Sequence, residues 1–263
     1  MKTILITGVS SGFGHYIAEH LLGQGFNVIG TVRNLESFKN DSINSNPNFN
    51  LLHLDLNDKK SVINLVDKLN SEYNIYGLIN NAGYALVGHF EELEFTDIED
   101  AFTCNVVHPT LLTQLILPQL RANSGVLINI SSLLGVKSNS NFGIYSACKF
   151  AIEGLSESLN KELEPFNVKV VLIEPGAFQT NFVQHSTNIG LKTIEAYNES
   201  SSKFKKGMVE NEDKRESNME LISKSIDIAL DRNDKNLRIL IGKLAPKLLS
   251  NKIEELQSSS IIN

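Results

Sequence analysis

The sequence predicts an α/β chain, a doubly wound parallel sheet held between two layers of helices in a three-layer α/β/α arrangement. Three observations predict it. Short apolar runs alternate with segments whose apolar residues recur at helical spacing. The links between these segments are short, as helical crossovers between parallel strands require. The first apolar run opens directly onto a glycine-rich turn with a helix pattern behind it. At 263 residues with 41% hydrophobic content, the chain is long and apolar enough for one domain over residues 1–263 around a large core.

Ile4–Ile6 is the first strand, and it runs into Thr7, Gly8, Val9, Ser10, Ser11, Gly12, Phe13 and Gly14. Tyr16, Ile17, Ala18, Leu21 and Leu22 then mark the first helix. Glycine lets the main chain approach a phosphate with no Cβ in the way, and a helix start offers unpaired N–H groups and the positive end of its dipole. Gly8-Val9-Ser10-Ser11-Gly12 also spells the G-x-S-x-G elbow of serine hydrolases. Position favours phosphate binding, because a hydrolase elbow needs strands and an oxyanion loop before it and seven residues precede this one.

Gly25 closes the helix, and Phe26–Val32 is a second strand ending in Arg33. At this place in a dinucleotide fold an acidic residue would accept from the adenosine 2′-OH, whereas an arginine can pair with a 2′-phosphate. Arg33 therefore favours NADP(H), with NAD(H) possible; the competing reading of Arg33 is a solvated surface side chain. Asn34–Asn50 reads as a short helical piece and loop. Leu51–Leu56 is the third strand, with Asp55 and Leu56 at its exit, where the carboxylate can meet an adenine amino group. A helix (Val62, Ile63, Leu65, Val66, Leu69) and a fourth strand (Ile75–Ile79) follow, leading into Asn80, Asn81, Ala82 and Gly83.

Tyr84–Phe95 reads as a loop. Thr96-Asp97-Ile98-Glu99 has the spelling of a capping box, opening a helix to about Leu120 that is bent or interrupted near Pro109 and Pro118. Asn105 inside it is either a solvent-exposed misfit or a placed water holder. Val126–Ile130 is the next strand, and Ser132 lies at its mouth, where a hydroxyl can hold a substrate oxygen. If the segment opening near Tyr145 is helical, Tyr145 and Lys149 share one face, an ammonium beside a phenol. Such a phenol is a candidate general acid or base, although the pair alone also fits an ordinary helix surface. The helix continues to Leu163. Val168–Ile173 is a sixth strand, closed by Glu174, Pro175 and Gly176 with Thr180 beyond. Residues 177–217 are mostly polar with scattered aromatic and aliphatic positions, a length that suggests a substrate lid. Ser217-Asn218-Met219-Glu220 is expected to cap another helix, Leu237–Ile241 to be a last strand, and Lys243–Asn263 to carry no legible chemistry.

Composition narrows the partners. The formal charge of −6, with no long basic run, argues against nucleic acid or an anionic membrane as the main partner and for a small molecule. Cys104 and Cys148 have neither a C-x-x-C nor a zinc-ligand spacing, so reduced thiols in a cytoplasmic protein are expected. The six histidines include no His-x-x-x-His pair, and no metal site is expected. No targeting segment or membrane span is expected either.

Taken together, Thr7-Gly8-x3-Gly12-x-Gly14, Asp55, Asn80-Asn81-Ala82-Gly83, Asn105, Ser132, Tyr145-x3-Lys149 and Pro175-Gly176 with Thr180 resemble the short-chain dehydrogenase/reductases, in the right order over roughly the first 180 residues. The resemblance implies a Rossmann fold and an alcohol–carbonyl oxidoreductase. It further implies that Tyr145 moves the proton at the substrate oxygen and Ser132 steadies that oxygen. Lys149 would bind the nicotinamide ribose and hold the tyrosine pKa down, and Asn105 would anchor a relay water. Ser10, Ser11 and Phe13 fill the glycine turn, where the basic residue usual in the NADP-preferring branch is missing. The family also suggests a homodimer or homotetramer built through the two long helices. Leu86, Val87, Phe90, Leu133, Leu134, Val136 and Phe142 point to an apolar alcohol or carbonyl substrate. A nucleotide-binding regulatory protein of the same fold without turnover is the alternative.

Overall fold

Ile4, Leu5 and Ile6 are all fully buried, yet successive side chains on a strand point to opposite faces. Ile4 and Ile6 pack into one apolar layer and Leu5 into the other. Both faces of the sheet must therefore be covered by helices. The computed structural model describes residues 1–36, 38, 41–179, 187–189, 194–210 and 215–258, with main chain alone at 41, 187–189, 205 and 208–210.

The described strands are β1 (Thr3–Ile6), β2 (Asn27–Val32), β3 (Phe49–His53), β4 (Ile75–Asn80), β5 (Ala85–Val87), β6 (Val126–Ile130), β7 (Lys169–Pro175), β8 (Thr187–Ile189) and β9 (Arg238–Ile241). The described α-helices are α1 (Gly12–Gly23), α2 (Asp41–Asn44), α3 (Lys59–Glu72), α4 (Phe95–Phe102), α5 (His108–Ala122), α6 (Gly143–Leu163), α7 (Asn198–Glu210), α8 (Glu220–Leu230) and α9 (Ala245–Gln257). Seven strands form one parallel sheet in the order β3-β2-β1-β4-β6-β7-β9, and β5 pairs with β8 apart from it. Ile17 and Leu21 of α1 and Ile222 and Ile226 of α8 cover one face. Val62, Leu65 and Leu69 of α3, Leu112, Ile116 and Leu120 of α5 and Leu163 of α6 cover the other. This is the doubly wound Rossmann arrangement that the alternating pattern predicts. The strand order reverses between β1 and β4, so a crevice opens beyond their carboxyl ends, at Gly8 on one side and Asn81 on the other.

Several local expectations are corrected. The helix expected over 96–120 is two helices, α4 and α5, joined by a π turn at Thr103–Val107. The disturbance thus lies just upstream of Pro109, which sits in the first turn of α5, where a proline needs no N–H. Pro118 does not end α5. Thr96 is not a cap, since α4 begins at Phe95 and no side chain caps it. Asn218, not Ser217, serves α8: its Oδ1 accepts from Glu220 N at 3.0 Å. The third strand ends at His53, which leaves Asp55 beyond it. The Tyr84–Phe95 segment contains β5, whose partner lies about a hundred residues on, a pairing that no local periodicity announces. Within the expected lid, β8, a short 3₁₀ turn at Glu195–Tyr197 and α7 are the described elements. Of the tail without legible chemistry, Ala245–Gln257 forms the helix α9.

Candidate active site

The crevice is built first from the glycine turn after β1. Gly8 and Gly12 adopt φ of +74° and +59°, conformations that side chains disfavour. At Gly14 a Cβ would stand 2.1 Å from the Gly8 carbonyl oxygen and 2.5 Å from Asn81 Nδ2, so only glycine lets α1 start this close to β1. Thr7 then ties the turn to the end of β4. Its Oγ1 accepts from Asn81 N at 3.0 Å and from Ala82 N at 2.9 Å, while Asn81 Nδ2 donates to the Thr7 and Gly8 carbonyls at 2.9 Å each. From β2, Thr31 Oγ1 accepts from Gly8 N at 3.3 Å. The result is a main-chain cradle at a helix N-terminus, without a Cβ at Gly8, Gly12 and Gly14 and suited to a pyrophosphate.

The second part is the corner between β6 and α6. Ser132 ends the strand segment, and its Oγ accepts from Leu134 N at 3.1 Å. Tyr145 and Lys149 lie on the buried face of α6. The Lys149 ammonium donates to the Ile130 carbonyl at 2.8 Å and stands 5.6 Å from the centre of the Tyr145 ring. Burial lowers Lys149 from 10.5 to about 8. Burial also pushes the Tyr145 phenol well above its ordinary value, against a hydrogen bond with Ser132 that favours the ionised form. The expected depression of the tyrosine pKa is thus reversed in this structure. The low-dielectric pocket disfavours the phenolate, and the lysine spends its proton on a main-chain carbonyl.

Asn105 is buried in the π turn with its amide engaged: Oδ1 accepts from Tyr84 N at 3.1 Å and Nδ2 donates to the Ala101 carbonyl at 2.8 Å. Its Oδ1 would lie 2.5 Å from a Cβ at Gly83, which makes that glycine necessary. The side chain therefore anchors the segment leaving β4.

These parts border one cleft of about 580 Å³. It brings together Gly8, Ser10, Ser11, Gly12, Phe13, Arg33, Asp55, Leu56, Asn81, Ala82, Gly83, Ser132, Tyr145, Lys149, Pro175 and Gly176. Gly14 and Asn105 act from behind the wall, and Thr180 lies outside the described residues. Asp55 Oδ1 accepts from Asn57 N at 2.8 Å, which fixes the loop after β3. Cys104 reaches the wall, but burial pushes its thiol up to about 11 and keeps it protonated. Thr7 as the stitch, and Leu244 and Leu248 as cleft residues, are not foreseen from the sequence. The apolar spacing Leu244, Leu248, Leu249, Ile253 and Leu256 was the available signal for a helix there. Among the described residues no helix is long and apolar enough to cross a membrane.

A crevice of this build at the switch point of a parallel sheet defines a dinucleotide-binding α/β protein. Residues 2–189 match the short chain dehydrogenase family model, and the chain belongs to that family of NAD(P)-dependent oxidoreductases. It is 38% identical over 186 residues to a 3-ketodihydrosphingosine reductase of Bacteroides thetaiotaomicron, covering 70% of this chain and 66% of that protein. It is 35% identical over 188 residues to an NADPH-dependent 3-dehydrocapnine reductase of Ornithobacterium rhinotracheale, covering 68% and 66%. The matched part thus spans just under two thirds of either relative. The crystal structure of a short-chain dehydrogenase from Streptomyces avermitilis is 34% identical and superposes with a TM-score of 0.87 over 98% of this chain and 93% of that one.

The lowered Lys149 makes stability depend on pH. Between about 8 and 10 the unfolded chain holds this proton and the folded chain has lost it, so stability rises with pH in that window. Urea unfolding is expected to show this rise, on the order of 2 kcal/mol, and Lys149→Met is expected to remove it; equal slopes in both proteins would contradict the assignment.

Proposed function

We propose that this chain is an NADP(H)-dependent oxidoreductase that interconverts an alcohol with a ketone or aldehyde on an apolar substrate. The observation that carries this reading is the meeting of Ser132, Tyr145 and Lys149 on the wall of the same cleft that the Gly8–Gly14 turn closes at its other end. The glycine cradle, in which a Cβ at Gly14 would collide with main chain, fits a dinucleotide pyrophosphate. When bound, the nicotinamide supplies or accepts the hydride.

The chain's own residues do the rest. In the reducing direction Tyr145, kept neutral by burial, holds the proton that its hydroxyl delivers to the substrate oxygen. Ser132 steadies that oxygen beside the phenol. Lys149 would hold the ribose hydroxyls of the cofactor, and its positive charge favours the phenolate left behind. Asn105, whose side-chain amide is held by Tyr84 N and the Ala101 carbonyl, would anchor a relay water. Arg33, exposed at the end of β2 on the cleft wall, pairs with the 2′-phosphate. The NADPH dependence named for the Ornithobacterium relative supports this preference. Leu133, Leu134, Phe142, Phe178, Leu244 and Leu248 give the substrate end an apolar lining. Both named relatives are reductases, of a 3-keto and a 3-dehydro compound, which supports a ketone substrate. Exposed Phe150 on α6 and Val107 beside α5 support assembly as a homodimer or homotetramer through the long helices. The two free thiols accord with a cytoplasmic location.

Tyr145→Phe is expected to lower kcat on hydrophobic ketones by about 10²–10⁴-fold while leaving NADPH binding intact, followed by cofactor absorbance and fluorescence titration. Unchanged turnover would remove Tyr145 from the reaction. Arg33→Asp is expected to shift the NADPH over NADH preference by about tenfold or more; an unaltered ratio would remove the 2′-phosphate contact.

A further inference from the structure

Behind the Ser131–Ser132 corner lies a buried pair of acids that the chemistry above does not use. Glu153 stands on α6 one turn beyond Lys149, and Glu174 on β7 immediately before Pro175 and Gly176 of the cleft wall. Both are buried, Glu174 completely. One guanidinium faces them. Arg238 of β9 reaches Glu153 Oε2 through Nη2 and Glu174 Oε1 through Nε, each at 3.1 Å, and also holds the exposed Glu157 of α6 at 2.6 Å. The other cation on this side, Lys149, donates to the Ile130 carbonyl. Two buried carboxylates thus divide one arginine that a third carboxylate also claims. Glu153 Oε1, both carboxyl oxygens of Glu174 and Ser131 Oγ are buried with no hydrogen bond of good geometry. Ionised carboxylates only accept, so the facing acids lack a donor between them; one proton supplies it.

We propose that Glu153 and Glu174 share one proton in the native protein and that this acid pair positions the Ser131–Ser132 corner against Tyr145. Contact makes the coupling direct. A Cβ at Gly135 would lie 2.9 Å from Ser131 Oγ and 3.1 Å from Glu153 Cγ, so the turn after Ser132 is seated on the serine and the acid together. Burial raises both carboxyls, Glu174 to about 8. The charged or titratable groups facing the pair are Lys149 and Glu157 from α6 and Arg238 from β9, with the Ser131 hydroxyl from the corner. Loss of the shared proton sets two like charges against each other in a dry pocket and displaces the serine that leans on them.

The positioning role rests on the reading of Ser132 as the holder of the substrate oxygen, whereas the shared proton is measurable without turnover. Infrared spectroscopy of the full chain at pH 7 is expected to show a protonated carboxyl band that titrates away above pH about 8 and is absent from Glu174→Gln. Thermal melts of the wild type are expected to fall as pH rises from about 4.5 to about 8, the window in which only the folded chain keeps this proton. Glu174→Gln and Glu153→Gln flatten that fall. Each is expected to turn over at pH 7 and to show a shallower alkaline decline in kcat than the wild type, the part set by loss of the Lys149 proton remaining, with KM little changed. No protonated carboxyl band in the wild type, or one common melting slope in all three proteins, overturns the shared proton. Normal band and melts with an identical alkaline decline of kcat in all three overturn the positioning role alone. If Glu174→Gln fails to fold, the wild-type titration and Glu153→Gln decide. An enzyme inactive towards every carbonyl would sink the proposed reaction yet leave band and melts unmoved.

Discussion

A single threonine hydroxyl fixes the relation between the two halves of the cleft. Thr7 is buried at the end of β1, and its Oγ1 receives the main-chain N–H groups of Asn81 and Ala82 from the end of β4. Asn81 returns its amide to the Thr7 and Gly8 carbonyls. These are the paired strands at which the strand order reverses, and the bonds carry their pairing past Ile6 and Ile79 into the segments that border the crevice. Four hydrogen bonds across the crevice keep the glycine turn in register with the central strand. Each buried group left without its partner would cost on the order of 1–3 kcal/mol. From that stitch the remaining positions follow: β6 pairs with β4, Ser132 leaves β6, and α6 packs beside it with Tyr145 and Lys149 inward.

The electrostatics of the corner share one cause, which is removal from water. Tyr145 is held neutral, Lys149 is driven towards losing its proton, and Glu174 is driven towards keeping one. Every shift favours the uncharged form. Lys149 and Glu174 are thereby held near the point of exchange, so that a charge arriving with a ligand can decide their state. An oxidised nicotinamide is such a charge, and so is a developing alkoxide. Sequence spacing alone suggests the opposite for the tyrosine, because it counts the neighbouring cation and cannot count the missing water.

Most of the architecture was legible because strand and helix periods are local signals. Ile4–Ile6, Ile75–Ile79 and Val126–Ile130 read as buried strands, and the glycine turn, Asn80–Gly83 and Tyr145-x3-Lys149 could be placed on the elements that carry them. What escaped was non-local. The β5–β8 pair joins segments about a hundred residues apart, and the π turn at Thr103–Val107 depends on where Asn105 finds partners in Ala101 and Tyr84. Thr7 reads as an ordinary residue before a glycine until β4 is set beside it. The acid pair is invisible in the sequence for the same reason: Glu153 and Glu174 belong to a helix and a strand whose packing alone brings them to one arginine.

The proposed reaction requires that the glycine cradle and the Ser132–Tyr145–Lys149 corner serve one ligand. A crystal structure of the protein with NADP(H) tests this most directly. The pyrophosphate is expected on the Gly8–Gly14 turn, with the nicotinamide beside the Tyr145 hydroxyl and the Lys149 ammonium turned to its ribose. A nucleotide seated elsewhere, or one whose nicotinamide lies away from Tyr145, would contradict it.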